Sequence, residues 1–134
     1  MLCNAAHLDT TGLVSVLGGW VDSVAGPQLP VRSQLWIAAR LTIEPSDVTT
    51  PHTLQIVVEH ASGDEQVARV DAGLPPGTPE SIEGIDPEMP IGIPVVVPLP
   101  LEFRRTGRYL VRLIVDGERL WESPIKVLTT FPQV

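Results

Sequence analysis

The segment 106–121 constrains the fold of this chain more than any other part of its sequence. Its Asp116-Gly117 dipeptide accepts the positive φ angles of a tight hairpin turn. The residues before the turn alternate between an apolar set and a charged one: Tyr109, Val111, Leu113 and Val115 against Arg108 and Arg112. Period-two alternation places each set on one face of a strand. We therefore predict a β-hairpin with one buried and one charged side.

The composition favours a compact, strand-rich domain. Fourteen prolines and eleven glycines suit many short strands joined by turns, and 43 % hydrophobic with 19 % charged residues is typical of a globular chain. A length of 134 residues fits a single domain over residues 1–134. Because no apolar run approaches the roughly 20 residues of a membrane span, we expect no membrane partner.

Charge and cysteine usage restrict the compartment and the partners. The net charge of −7 argues against nucleic acid, whose phosphates would be repelled. A single cysteine and an N-terminus without a basic signal region favour the cytoplasm. The charge is uneven, since residues 1–100 carry 12 acids against 3 arginines (−9) and residues 101–134 carry 4 acids against 6 bases (+2). Solvated strand faces explain this asymmetry, as does a charge-complementary contact with a partner or a second copy.

Alternating segments with turn signals between them follow one another along most of the chain. The predicted strands occupy 2–8, 13–17, 20–25, 34–43, 54–60, 66–71, 95–103 and the two arms of the C-terminal hairpin. Gly18-Gly19 predicts a bulge or sharp bend within one longer strand. The segment 72–94, with six of the fourteen prolines, predicts one long loop.

Three prolines predict an edge strand. Pro94, Pro98 and Pro100 share the parity opposite to the apolar positions of 95–103. Amide groups two residues apart point to the same lateral side of a strand, and proline has no N–H to donate. One side of this segment therefore lacks a regular ladder, so we expect it to be an edge strand or to lie just outside the sheet.

These elements predict an all-β fold, an antiparallel β-sandwich that is immunoglobulin-like or related, with about eight strands and one long proline-rich loop. Gly107-x-Tyr109 is similar to the tyrosine corner of such sandwiches.

Several motifs resemble a bacterial family of small proteins of unknown function. They are Ala5-Ala6-His7-Leu8-Asp9, Val16-Leu17-Gly18-Gly19-Trp20, Gln28-Leu29-Pro30, Pro51-His52-Thr53-Leu54, Gly107-Arg108-Tyr109 and Val115-Asp116-Gly117. The resemblance runs over nearly the whole chain and consists of strand and turn residues. It implies a β-sandwich and brings no activity, cofactor or catalytic residue with it.

No arrangement of residues predicts catalysis or a metal site. The histidines His7, His52 and His60 lack metal-ligand spacing, and Cys3 is expected to be a buried thiol. His60 is expected to be partly buried and hydrogen-bonded, and His52 exposed in a loop. The acids of the proline-rich segment are irregularly spaced and lack the calcium-loop pattern: Glu80, Glu83, Asp86 and Glu88. We therefore expect no cofactor, no metal and no enzyme.

Trp36 is the residue whose position most needs a reason. Alternation places it with Arg40, away from the apolar face of its strand. Three interpretations stay open: cover by the 72–94 segment, a protein contact such as a homodimer, or sugar stacking. The residues of such a contact would be Trp36, Arg40, Arg108 and Arg112.

The sequence thus favours a non-enzymatic protein-binding or assembly module that contacts a protein partner or its own copy. The alternative is a sandwich that binds a small molecule or carbohydrate with its 72–94 loop.

Overall fold

The computed structural model describes residues 1–78, 84 and 86–130. This part of the chain contains nine β-strands and a one-turn 3-10 helix at Pro45–Asp47. The strands are β1 (Leu2–Leu8), β2 (Val14–Gly19), β3 (Ser23–Gly26), β4 (Val31–Ile43), β5 (His52–His60), β6 (Gln66–Leu74), β7 (Ile91–Phe103), β8 (Gly107–Val115) and β9 (Glu118–Thr129).

The nine strands form two sheets. The first has the order β2-β1-β4-β7 and the second the order β3-β9-β8-β5-β6. The predicted all-β fold is confirmed, with nine strands rather than about eight. One pairing departs from the antiparallel pattern, because the short β3 runs parallel to β9.

One apolar cluster lies between the two sheets. The first sheet contributes buried residues of β4 and β7, such as Ile37 and Leu99, and the second contributes Ile56, Val111 and Ile125. Each of these residues occupies an alternate position of its strand, so polar residues fall on the outer faces. The ring of Phe103 on β7 contacts that of Tyr109 on β8, with centroids 4.7 Å apart, and so joins the two sheets.

The C-terminal hairpin has the predicted turn and the predicted faces. Asp116 and Gly117 have φ angles of 51° and 78°, the pair of positive values that a two-residue turn of type I′ requires. Tyr109, on the apolar face, is fully buried, and its hydroxyl donates a hydrogen bond to the carbonyl oxygen of Arg105 at 2.8 Å. This bond is the expected tyrosine corner.

The proline-marked segment is an edge strand, as predicted. Among the described residues, β7 pairs with β4 alone, in a continuous register from Ile43–Ile91 to Val31–Phe103. Pro94, Pro98 and Pro100 lie opposite Arg40, Trp36 and Gln34. Because the ladder is continuous, the alternate residues must supply its donors, and the three prolines point their nitrogens to the open side.

The chain does not continue as one strand after Gly18-Gly19, so that prediction is wrong. Gly18 and Trp20 adopt positive φ angles of 63° and 55°, which end β2 at Gly19. The chain then crosses to the second sheet, where β3 pairs with β9. The glycines therefore mark a change of sheet rather than a bulge.

The proline-rich loop is shorter than predicted. β6 extends to Leu74 and β7 begins at Ile91, so both ends of the segment 72–94 belong to strands. Cross-strand pairing with His52, Thr53 and Leu54 holds Ala72 to Leu74 in the sheet. Glu80 and Glu83, two of the acids considered for calcium, lie outside the described residues.

Candidate interaction surface

The first two predicted contact residues, Trp36 and Arg40, lie on the outer face of the first sheet. Trp36 is half-buried between its cross-strand neighbours Cys3 on β1 and Pro98 on β7. Arg40 is exposed, and its guanidinium lies over Gly92, where a Cβ atom would overlap it. Their role in a contact stays a prediction.

The other two, Arg108 and Arg112, lie on the outer face of the second sheet. Arg112 forms ion pairs with Glu59 on β5 and, at 2.8 Å, with Glu122 on β9. The hydrogen bonds to Glu122 and Glu59 raise the pKa of Arg112. Arg108 is exposed and lies directly opposite Lys126. Because the core separates the two sheets, the four residues do not form one continuous surface.

The structure reveals a different exposed surface, the β1–β2 hairpin. Within the part of the chain that the structure describes, only Leu2 and Cys3 of β1 pair with β4, and residues 5–8 pair with β2 alone. Every residue of β2 is exposed. The hairpin carries six of the exposed large apolar side chains: Leu8, Leu13, Val14, Val16, Leu17 and Trp20. Leu17 is 73 % and Trp20 81 % exposed, and such exposure of several large apolar side chains in one short segment is unusual.

Asp9 fixes the turn of this hairpin. One of its carboxylate oxygens accepts hydrogen bonds from the Thr11 hydroxyl at 2.6 Å, the Thr11 amide at 2.8 Å and the Leu13 amide at 3.0 Å. These bonds, the Thr11 hydroxyl first, lower the pKa of Asp9. Gly12 completes the turn with a φ of 83°. The apolar hairpin is therefore held in a defined conformation at neutral pH.

The lateral edge of β2 differs from the other sheet edges. On β7 three prolines remove outward donors, on β6 the ion pair of Arg69 with Asp71 places charges at the edge, and β3 has four residues. These are features with which proteins block strand addition. β2 contains no charged residue and no proline. No other strand of the described ranges pairs with its outer edge, so the backbone groups there are available to another strand.

A cavity of about 460 Å³ lies between the hairpin and the outer face of the first sheet. Leu13, Val14 and Val16 line one side, and Ala38, Arg40 and Pro94 line the other. Ala38 is 8 % exposed although it points away from the core, in agreement with a hairpin that lies over this face. Gly92 and Pro94 of the 72–94 segment line this cavity, and binding of a small molecule or carbohydrate by that segment stays a prediction.

A second cavity, of about 270 Å³, is lined in part by His52. Nδ1 of His52 lies 2.6 Å from a carboxylate oxygen of Asp116, and Nε2 lies 2.9 Å from the carbonyl oxygen of Asp47. Both neighbours are acceptors, so they favour the protonated ring, and the Asp116 bond above all raises the pKa of His52. The expectation that His52 is exposed is wrong, because only 14 % of its side-chain surface is accessible to solvent.

The other chemistry-bearing residues have structural surroundings. Cys3 is fully buried as expected, and burial raises the pKa of its thiol. His60 is half-buried and its Nδ1 lies 2.7 Å from the Ser62 hydroxyl, also as expected, and its ring contacts that of Tyr109. Among the described residues, no three His, Cys, Asp or Glu side chains are grouped so that they could hold a metal ion.

Comparison with known proteins identifies the family of the chain. Residues 1–128 match the family described as "Family of unknown function (DUF6941)". The chain belongs to this family. The resemblance of its strand and turn motifs to a family of unknown function is thereby confirmed, and membership assigns no activity. No curated protein matches the chain.

Two solved structures are similar to the chain at low sequence identity. One is the alkylpurine DNA glycosylase AlkC of Pseudomonas fluorescens bound to DNA containing an abasic site analog, with 11 % identity, a TM-score of 0.45, and coverage of 78 % of this chain and 27 % of that one. The other is the CARDB domain of a Pyrococcus furiosus protein in complex with di-metal ions, with 10 % identity, a TM-score of 0.44, and coverage of 82 % and 87 %. This chain spans about a quarter of the glycosylase.

Within the described ranges, the structure contains no helix with the length and apolar character needed to span a membrane.

Proposed function

We propose that this domain is a protein-interaction module whose contact surface is the β1–β2 hairpin. The observation that carries the proposal is the combination of exposed apolar side chains and an unblocked strand edge on β2. An added strand would satisfy the open backbone groups of β2, while its side chains would cover Leu13 and Leu17. Trp20 at the end of the strand is the residue type that most often anchors such contacts.

The electrostatics of the chain support the same surface. Residues 1–20 contain one acid, Asp9, although the whole chain has a net charge of −7. A partner that approaches the hairpin therefore meets a nearly neutral surface and avoids the repulsion or desolvation that charged faces impose.

The proposal is tested by affinity capture from the native host with three baits at equal loading. These are the wild type, Leu17→Lys on the hairpin, and Leu120→Lys as a matched control on β9, where Leu120 is 54 % exposed. Equal melting temperatures establish that the three baits are folded. We expect proteins that the wild type and Leu120→Lys retain and that Leu17→Lys loses. Equal capture by all three baits would show that the hairpin is not the contact surface.

A further inference from the structure

The turn residue before β2 and the first four residues of that strand read the same in both directions. Residues 13–17 read Leu-Val-Ser-Val-Leu, and all five are exposed. Two antiparallel copies of such a segment, related by a two-fold axis through Ser15, bring identical residues together: Leu13 with Leu17, Val14 with Val16, and Ser15 with itself. A two-fold interface requires this kind of self-complementarity.

The hydrogen-bond pattern of the hairpin fixes which backbone groups are free. The amide of Asp9 donates to the carbonyl oxygen of Leu13 at 3.0 Å, and residues 5–8 continue this ladder without a register shift up to Leu17. Because alternate residues of a strand face opposite lateral sides, Leu13, Ser15 and Leu17 bond to β1. Val14 and Val16 therefore direct their N–H and C=O groups outward, to the open edge.

The free groups and the palindrome agree on one register. With the axis through Ser15, Val14 of each copy faces Val16 of the other, and these two pairs exchange four backbone hydrogen bonds. Leu13 and Leu17, which are 67 % and 73 % exposed, then cover each other across the strands. β2 contains no charged residue, so this register brings no like charges together.

We propose that two copies of this chain associate through β2, antiparallel about Ser15, and join their first sheets into one sheet of eight strands. This inference rests on the proposed function, since it names a second copy as the partner of the hairpin. It differs from a dimer on Trp36 and Arg40, which lie on the face of the sheet and not at its β2 edge.

Substitution of Ser15 tests the axis directly. Ser15→Asp sets two like charges opposite each other, and we expect the dissociation constant of the dimer to rise about tenfold or more, while Ser15→Thr leaves it within a few-fold. Light scattering over a concentration series measures both, and equal melting behaviour of the diluted monomers shows that the fold is kept. A wild type that is monomeric at high concentration, or a dimer that Ser15→Asp leaves intact, overturns the proposal.

Cross-linking tests the register. Across the axis, Ser15 forms a non-hydrogen-bonded pair, for which Cα atoms lie about 4.5 Å apart, within the range of a disulfide. Ser15→Cys should therefore give a covalent dimer under mild oxidation. Thr10→Cys, exposed in the turn of the same hairpin, should not. Equal cross-linking of the two variants, or none of either, contradicts the register.

The two proposals fail in different ways. If the wild type is monomeric and Ser15→Cys does not cross-link, self-pairing is excluded, while capture of other proteins that depends on Leu17 would still support the interaction module. If capture is also independent of Leu17, both are excluded.

Discussion

At the scale of single residues, the pair of His52 and Asp116 shows how a turn is fastened to the rest of a sheet. Asp116 occupies the β8–β9 turn with a positive φ angle, accepts a hydrogen bond from the Thr53 amide at 2.9 Å, and contacts His52 through its other oxygen. One side chain thus links the turn to the start of β5. The hydrogen bond with His52 above all lowers the pKa of Asp116.

The pKa shifts of His52 and Asp116 limit the contribution of their hydrogen bond to a defined pH range. The raised pKa of His52 means that its contribution is complete below its unfolded value of 6.5 and is lost as the pH rises through the folded value. The lowered pKa of Asp116 means that its contribution is complete above its unfolded value of 3.8 and is lost as the pH falls through the folded value. The link is therefore strongest between these two unfolded values.

We predict that His52→Gln removes a pH-dependent part of the stability. The difference in unfolding free energy between wild type and variant should be largest near pH 5.5 and should shrink toward pH 9, because the neutral ring no longer pairs with Asp116. Urea unfolding at a series of pH values measures it. Leu128→Gln, at a position on β9 that is 40 % exposed and carries no titratable group, is the control and should show a constant difference. A difference for His52→Gln that does not change with pH would contradict the assignment.

At the scale of secondary-structure elements, the two edges of the first sheet are opposites. β7 keeps a full ladder with β4 and presents prolines to the open side, whereas β2 presents ordinary amides and apolar side chains. Since an open edge with free donors can add a strand, the same sheet is blocked on one side and available on the other.

Amide hydrogen exchange tests this description of β7. The amides of Val95, Val97 and Leu99 should be protected, because they donate to β4. The amide of Val96, which has the parity of the prolines, should exchange orders of magnitude faster. Two-dimensional NMR after transfer to D2O measures all four within one strand, so each residue is a control for its neighbours. Equal protection of Val96 would show a second ladder and contradict the argument from the prolines.

At the scale of the whole molecule, the stability of the domain depends on contact between the sheets. Phe103 and Tyr109 come from different sheets, both are fully buried, and their rings meet at an angle of 64°. Such edge-on packing adds to the free energy that burial of the rings provides. Phe103 and Tyr109, which join the two sheets, are distant in sequence from the β1–β2 hairpin.

We predict that Phe103→Ala destabilises the domain by about 3–5 kcal/mol, through lost burial and the cavity left between the sheets. This is a large part of the roughly 5–15 kcal/mol that holds a typical domain together. Denaturant unfolding measures it, with Trp20→Ala as the control. Trp20 is 81 % exposed, so its removal should change the stability of the monomer by less than about 0.5 kcal/mol. Similar losses for the two variants would contradict the assignment of Phe103 to the core.

Much of the fold was predictable because its causes are local. Alternation at Tyr109, Val111 and Leu113 depends on the two-residue period of a strand, and the turn at Asp116-Gly117 depends on which residues tolerate positive φ. The edge position of β7 follows from the missing amide hydrogens of three prolines, a covalent property that no tertiary contact can change. These features hold for any arrangement of the sheets.

The arrangement itself was decided by tertiary structure. Gly18-Gly19 indicated a bulge or bend, but whether the chain stays in its sheet or crosses to β9 depends on which partner buries Val24. The same holds for the contact residues, because parity can assign Trp36 and Arg112 to outer faces and cannot tell that these faces belong to different sheets. The exposure of residues 13–17 could not be predicted from the sequence either, since a strand with four apolar residues of five normally indicates burial. β2 is uncovered because the pairing of β1 with β4 ends at Cys3.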